Sequence, residues 1–234
     1  MTTALITGAS RGFGRALAAE LASRDWDLVI DARTEADLER AADELRSRGS
    51  GTVTAIAGDV SDLHHVASLT AATIETGRLD LLVNNASLLG PSPQPNLAHY
   101  PTDVLRQVLE VNLIGPLRLI QATLTMLRET EGTIVNVTSD AAVERYEGWG
   151  GYGSSKAALE QMSNVLAAEE PNLKVYWFDP GDMNTRMHQE AFPDDDISDR
   201  PLPESRVPGL LALLDGNHSS GRYNAAEFLV EVTT

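Results

Sequence analysis

Short, nearly unbroken apolar runs alternate along the chain with longer stretches of helical periodicity. The runs are Ala4–Thr7, Leu28–Asp31, Val53–Ala57, Leu79–Asn84, Thr133–Val137 and Lys174–Asp179. Continuous apolar runs suit strands buried on both faces of a parallel sheet. Between them, Phe13, Leu17 and Leu21 recur every fourth residue, and Leu38, Ala41, Ala42 and Leu45 form one stripe. A third helix is expected from about Ser61, as its N-cap, to Gly77. A long one should start after Pro101 and reach about Arg128, and another should follow Tyr152 and stop before Pro171. Two proline-rich segments, Leu88–Pro101 and Met187–Pro208, break the pattern and are expected as loops after strand ends. Strands alternating with helices predict an α/β fold, a doubly wound parallel sheet with right-handed crossovers. With no internal repeat or flexible linker, residues 1–234 are expected to form one domain.

Composition narrows the chemistry. A chain of 234 residues can bury roughly 70% of its unfolded surface and needs no staples. Cysteine is absent, which removes disulfides, thiolate nucleophiles and Cys-ligated metals, and no metal is expected. A formal net charge of −16 disfavours nucleic acid as a partner and fits a solubilising surface. No signal-peptide pattern opens the sequence, and no run approaches the ~20 apolar residues of a membrane span, so a cytoplasmic location is expected. Only two lysines occur, Lys156 and Lys174, which makes a lysine at a chemically telling position less of a coincidence.

The first apolar run leads directly into Thr7-Gly8-Ala9-Ser10-Arg11-Gly12-Phe13-Gly14, and a helix pattern follows. Glycine lets a backbone approach a pyrophosphate closely, and the helix N-terminus adds free N–H groups and a partial positive charge. An ordinary tight turn is the plainer alternative. Farther along, Tyr152 and Lys156 stand four apart at a helix start, so a phenol and an ammonium share one face. A phenol has a pKa near 10. Lowering it by ~2–3 units takes about 3–4 kcal/mol of differential stabilisation, which a neighbouring cation can provide.

The T-G-x-x-x-G-x-G turn, Asp59-Val60, Asn84-Asn85-Ala86, Asn112, Ser139, Tyr152-x-x-x-Lys156 and Pro180-Gly181 together resemble the short-chain dehydrogenase/reductase family, over about positions 3 to 187. The resemblance implies a Rossmann-type fold with about seven parallel strands and a nicotinamide dinucleotide cofactor. It implies that Gly8, Ser10, Arg11, Gly12, Phe13 and Gly14 cradle the dinucleotide, with Asp59 and Val60 flanking the adenine. Asn85, Ala86, Pro180, Gly181, Tyr152 and Lys156 complete the cofactor site, and Thr185 reaches the carboxamide. Tyr152 is then the acid/base and Ser139, rather than its neighbour Thr138, donates to the developing oxyanion. Asn112, by side chain or backbone carbonyl, would anchor a water relaying protons to Lys156; a local kink before Gly115-Pro116 is its plainer reading. Asp140, unusual for the family, is expected to point away from the oxyanion site. Ser87 stands where the family has glycine. Around Ser219–Tyr223 the chain is similar to the family's last strand, without the usual Asp-Gly-Gly, as in shorter sepiapterin- or benzil-reductase-like members. A homodimer or higher homo-oligomer is the expected assembly.

Two cofactor readings compete. Asp31 lies near the offset of a ribose-binding acid, which would mean NAD. Aligned with the family, that position is Ala32, followed by Arg33; Arg33 and Arg11 together suit a 2′-phosphate, so NADP(H) is favoured over NAD(H). The reaction expected is hydride transfer between NADP(H) and a carbonyl or secondary alcohol. An epimerase or dehydratase of the same fold, and a non-catalytic redox sensor, are the alternatives. Trp149, Leu88, Leu89, Met183, Met187 and Phe192 are candidate walls of a pocket for a small, neutral, hydrophobic ketone or aldehyde. The acidic run Asp194–Asp196, on a segment expected to act as a lid, should repel a polyanionic substrate.

Overall fold

The computed structural model of the protein describes residues 1–229 and has seven parallel strands, six of which carry the apolar runs. The strands are β1 (Thr3–Ile6), β2 (Asp27–Ala32), β3 (Val53–Ala57), β4 (Leu81–Asn84), β5 (Thr133–Val137), β6 (Lys174–Asp179) and β7 (Gly221–Asn224). Their order across the sheet is β3-β2-β1-β4-β5-β6-β7. Leu5 pairs with Val29 on one side and Leu82 on the other. From β1 the chain winds first one way and then the other. The strand order therefore reverses between β1 and β4, and a crevice opens there outside the carboxyl ends of the strands.

The continuous apolar runs reflect burial on both faces. Ala4, Ile6, Leu28, Ile30, Leu81, Val83, Val135 and Phe178 face one layer, where Leu17, Leu21, Leu38 and Leu45 pack. These last come from helices α1 (Gly12–Ser23) and α2 (Glu35–Arg46). Leu5, Val29, Leu82, Ile134 and Val175 face the other layer, against Val66, Leu69, Leu119 and Leu127 of helices α3 (Leu63–Glu75) and α5 (Gly115–Thr130). Each fully buried Leu or Ile contributes about 1.5–3 kcal/mol, so the sheet is fixed mainly by these two layers.

Three predicted boundaries change. The N-cap of α3 is Asp62, whose carboxylate accepts from His64 N, while the Ser61 hydroxyl donates to Asp59 instead. The long helix after Pro101 consists of α4 (Thr102–Leu109), a π-helical turn at Glu110–Ile114 and then α5. The Met187–Pro208 segment is not a plain loop. Helix α6 (Gly150–Glu169) and β6 precede it, and α7 (Arg186–Ala191) covers its start. A 3-10 turn spans Pro203–Arg206, and α8 (Val207–Asp215) begins inside the segment. Pro203 and Pro208 sit in first turns, where a missing N–H costs nothing, so they start helices rather than end them. A last short helix, α9 (Ala225–Leu229), follows β7. Among the described residues no helix is long and apolar enough to cross a membrane.

Candidate active site

The crevice at the strand-order reversal is a cavity of about 870 Å³. Of the residues singled out in the sequence, Gly8, Ser10, Arg11, Gly12, Phe13, Arg33, Asp59, Val60, Asn85, Ala86, Ser139, Tyr152, Lys156, Pro180, Gly181 and Thr185 line it. Gly14 and Asn112 stand behind its wall.

The glycines divide into two kinds. Gly12 has φ +58 and faces open space, with only Thr185 Cγ2 at 3.7 Å from where a Cβ would lie. It opens α1, whose N-cap Arg11 makes no side-chain cap hydrogen bond. The first N–H groups of α1 are thus left to a ligand. Gly14 instead lets α1 press against the end of β4, since a Cβ there would lie 2.4 Å from Asn85 Nδ2. Asn85 is a staple as well: its Nδ2 donates to Thr7 O at 2.8 Å and Gly8 O at 3.1 Å. The Phe13 ring turns into the core and stacks on Phe178 at 5.9 Å, leaving its backbone as the part that borders the cavity.

At the carboxyl end of β2, Asp31 is 1% exposed. Its Oδ1 accepts from Gly8 N at 2.6 Å, and its Oδ2 lies 2.9 Å from His65 Nε2. Burial pushes the Asp31 carboxyl up, against the hydrogen bonds to His65 and Gly8. Both Asp31 carboxylate oxygens are thus engaged within the protein, one of them holding the glycine turn, while the residue borders the cavity. Arg33 is exposed on the cavity rim and makes no ion pair among the described residues. Arg11 is held by Asp37 at 3.1 Å.

At the other end, Tyr152 lies in the first turn of α6, and Lys156 one turn on, as the spacing requires. Lys156 is 2% exposed. Its Nζ lies 5.5 Å from the Tyr152 ring centroid and donates to Val137 O at 2.8 Å. Burial lowers the Lys156 ammonium to about 8, with the Asp179 charge opposing. Burial raises the Tyr152 phenol well above its ordinary value; Ser87 pulls the other way, and the Asp179 and Asp140 charges add to the rise. Thr138 and Ser139 both border the cavity, and the Thr138 hydroxyl is spent on Glu160 at 2.7 Å.

Several expectations are corrected here. Asp140 does not point away: its Oδ1 accepts from Ser139 Oγ at 2.9 Å, and its Oδ2 accepts from Tyr146 OH at 2.9 Å. The Asn112 side chain is fully engaged. Its Oδ1 accepts from Leu88 N at 2.7 Å and Ser87 Oγ at 3.2 Å; its Nδ2 donates to Leu88 O and to Ser155 Oγ, both at 2.9 Å. Only its backbone carbonyl is left for any water relay. Phe192 backs Trp149 at 5.8 Å rather than lining the cavity, and the exposed run Asp194–Asp196 is not part of the lining either. The carboxylates that are include Asp140, Asp182, Glu190 and Glu204.

Sequence reasoning missed a polar network under Ser139. Arg222 on β7 bonds Glu160 at 3.0 Å and Asp179 at 3.3 Å, and its guanidinium donates to the Ser139 carbonyl at 3.3 Å. Asp179 also accepts from Gly181 N at 2.8 Å and Asn224 Nδ2 at 3.1 Å. The signal was a charge closing a buried strand, Asp179 immediately before Pro180.

A family model described as short chain dehydrogenase matches residues 2–196. Sepiapterin reductase of Mus musculus is 35% identical over 199 residues, covering 80% of this chain and 76% of that protein. An alcohol dehydrogenase of the archaeon Thermococcus sibiricus, complexed with 5-hydroxy-NADP, superposes with a TM-score of 0.86 at 29% identity, covering 96% of this chain and 95% of its own. A short chain dehydrogenase of Shigella flexneri, complexed with NADP, gives 0.89 at 27% identity, covering 96% and 97%.

Proposed function

The chain belongs to the short-chain dehydrogenase family, and we propose that it is an NADP(H)-dependent reductase of a small, uncharged ketone or aldehyde with an apolar body. As a family member it is a nicotinamide-dependent oxidoreductase acting on CH–OH or C=O groups. The observation that carries the finer reading is the convergence of Tyr152, Lys156 and Ser139 at one end of a cavity whose other end holds Gly12 and Arg33.

The residues present fit a dinucleotide. The uncapped start of α1 and the open space at Gly12 suit a pyrophosphate. Asp59 and Val60 would border the adenine, with Ala86, Pro180, Gly181 and Thr185 nearer the nicotinamide. When bound, the cofactor supplies the hydride to the carbonyl carbon, or takes it from the alcohol. Tyr152 holds the proton that the reduced oxygen needs, because its buried phenol stays protonated at neutral pH. Ser139 orients the same oxygen through its hydroxyl. Lys156 would hold ribose hydroxyls and keep a positive charge beneath the phenol. Trp149, set edge-on to Tyr152 at 5.8 Å, with Leu88, Leu89, Met183 and Met187, gives the substrate end apolar walls.

Three features support NADP(H). Asp31 is occupied within the protein, Ala32 stands at the end of β2, and Arg33 is exposed beside it. NADP in the two solved relatives points the same way. The test is steady-state kinetics on a panel of neutral ketones and aldehydes, followed at the nicotinamide absorbance with NADPH and NADH. Turnover with the higher kcat/KM for NADPH is expected. Arg33→Ala should cost ~1.5–3 kcal/mol in NADPH binding and little in NADH binding. Silence across the panel with both cofactors would overturn the reductase reading, and equal dissociation constants for the two cofactors would overturn the NADP preference.

A further inference from the structure

Asp140 sits where a carboxylate is a burden to the reaction just described. Reduction builds negative charge on the substrate oxygen beside Ser139, and Asp140 holds a second negative charge one hydrogen bond away, 2.9 Å from Ser139 Oγ. The resting serine donates its proton to that carboxylate rather than outward, while Ala141 N donates to the serine oxygen at 3.2 Å. The carboxylate is not free to swing off, because Tyr146 OH binds its second oxygen at 2.9 Å. A carboxylate offers about four acceptor positions, and two are used. Two acceptor positions are left, on a residue that is half-buried and borders the cavity. The other carboxylates at this end are placed differently: Asp182 is 60% exposed, and Glu190 is paired with Arg186 at 2.7 Å.

We propose that Asp140 is a specificity-determining residue that accepts a hydrogen bond from an O–H donor on the carbon next to the reacting carbonyl, so that the site selects α-hydroxy ketones and aldehydes over plain ones. This rests on the carbonyl-reductase reading and names its substrate class. The chemistry follows from charge. A plain ketone places its developing oxyanion beside a carboxylate that, once Ser139 turns to the reacting oxygen, keeps only the Tyr146 hydroxyl as a donor. In an α-hydroxy ketone the hydroxyl oxygen is three bonds from the carbonyl oxygen, within reach of Asp140 while that oxygen faces Ser139 and Tyr152. Its O–H then stands between the two negative groups. It gives Asp140 the donor it otherwise takes from Ser139, and it releases the serine proton for the reacting oxygen. Site groups that require a donor reject analogues lacking it far more strongly than apolar walls reject a change in size.

Matched aryl ketones test this through their specificity constants with NADPH. The α-hydroxy derivative of acetophenone is compared with its methyl ether, which keeps the oxygen but not the donor, and with acetophenone itself. The hydroxy ketone is expected to exceed the methyl ether by ~10-fold or more in the wild type, the lower range for loss of one hydrogen bond to a charged group. In Asp140→Ala the ratio should fall toward unity. In Asp140→Asn, which keeps a neutral acceptor, it should be intermediate. A wild-type ratio at or below one overturns the proposal without any variant, as does a ratio unchanged in Asp140→Ala. In either case turnover of all three ketones with NADPH would leave the reductase reading standing, whereas no turnover of these or of the wider carbonyl panel would overturn both.

Discussion

Tyr152 and Lys156 show how far burial alone sets chemistry. Their spacing puts them on one face of α6, but the directions of their titration come from the surroundings. The phenol is pushed up by burial and by the Asp179 and Asp140 charges, and the ammonium is brought down by burial to about 8. A protonated phenol is the form that donates to a carbonyl, so carbonyl reduction should be flat through neutral pH and fall only as Lys156 deprotonates near 8. Alcohol oxidation needs the phenolate and should rise with pH; parallel profiles in the two directions would contradict this. Tyr152→Phe should cut turnover ~100-fold or more while leaving NADPH binding nearly intact. Retention of half the wild-type rate would remove the acid/base role. Lys156 has a folded pKa below its ordinary value, so the folded state resists its charge. That cost is fully present below about 8 and is relieved as pH rises toward the unfolded value of 10.5. Lys156→Met should therefore be more stable than wild type in urea at pH 7, with the margin shrinking above pH 8.

At the scale of elements, the π-helical turn between α4 and α5 places Asn112 against the Ser87–Leu88 backbone. One side chain thereby ties α5's entry to the loop after β4 and to Ser155 of α6. Asn112→Leu would leave both Leu88 backbone groups without their partner. A loss of about 2–4 kcal/mol in urea unfolding is expected, since each buried group left unsatisfied costs about 1–3 kcal/mol. A neutral result would mean that water replaces the amide. The Glu160–Arg222–Asp179 network joins α6, β7 and the end of β6 beneath Ser139. Arg222→Met leaves the buried Asp179 and the half-buried Glu160 without their shared cation. Because Arg222 keeps 30% side-chain exposure, about 2–3 kcal/mol is expected rather than the larger cost of a fully buried pair. It should also lower kcat by loosening the Ser139 backbone.

Over the whole molecule, charge is unevenly arranged. The chain carries −16, yet Arg11, Arg15 and Arg33 border the crevice at the glycine turn and the end of β2, with Asp31 and Asp59 beside them, while Asp140, Asp182, Glu190 and Arg186 border it elsewhere. A cofactor that binds only the folded state stabilises it by about 2.7 kcal/mol at a hundred times its dissociation constant. Thermal unfolding with equal concentrations of NADPH and NADH should therefore show the larger rise in Tm with NADPH. The difference should disappear in Arg33→Ala; a difference that survives would place the 2′-phosphate elsewhere.

Six of the seven strands were legible in the pattern alone, because continuous apolar runs such as Leu28–Ile30 have no low-energy place except between two layers, whereas β7 carries no such run. The sequence also placed the glycine turn at the first strand end and paired Tyr152 with Lys156, since both depend on local geometry over a few residues. What it left to the tertiary structure were contacts between distant residues. Asp31 is engaged by Gly8 and His65, 23 and 34 residues away, a pairing that its offset from the glycines did not reveal. Asn112 meets Leu88 across 24 residues, and Arg222 reaches Ser139 across 83. Asp140 is next to Ser139 in sequence, yet its direction is set by Tyr146 and the short turn that follows. Local pattern fixes which face a side chain takes. Which partner satisfies a polar group on that face depends on the packing of elements far apart in the chain, and that decided which acidic groups are spent inside the protein and which border the cavity.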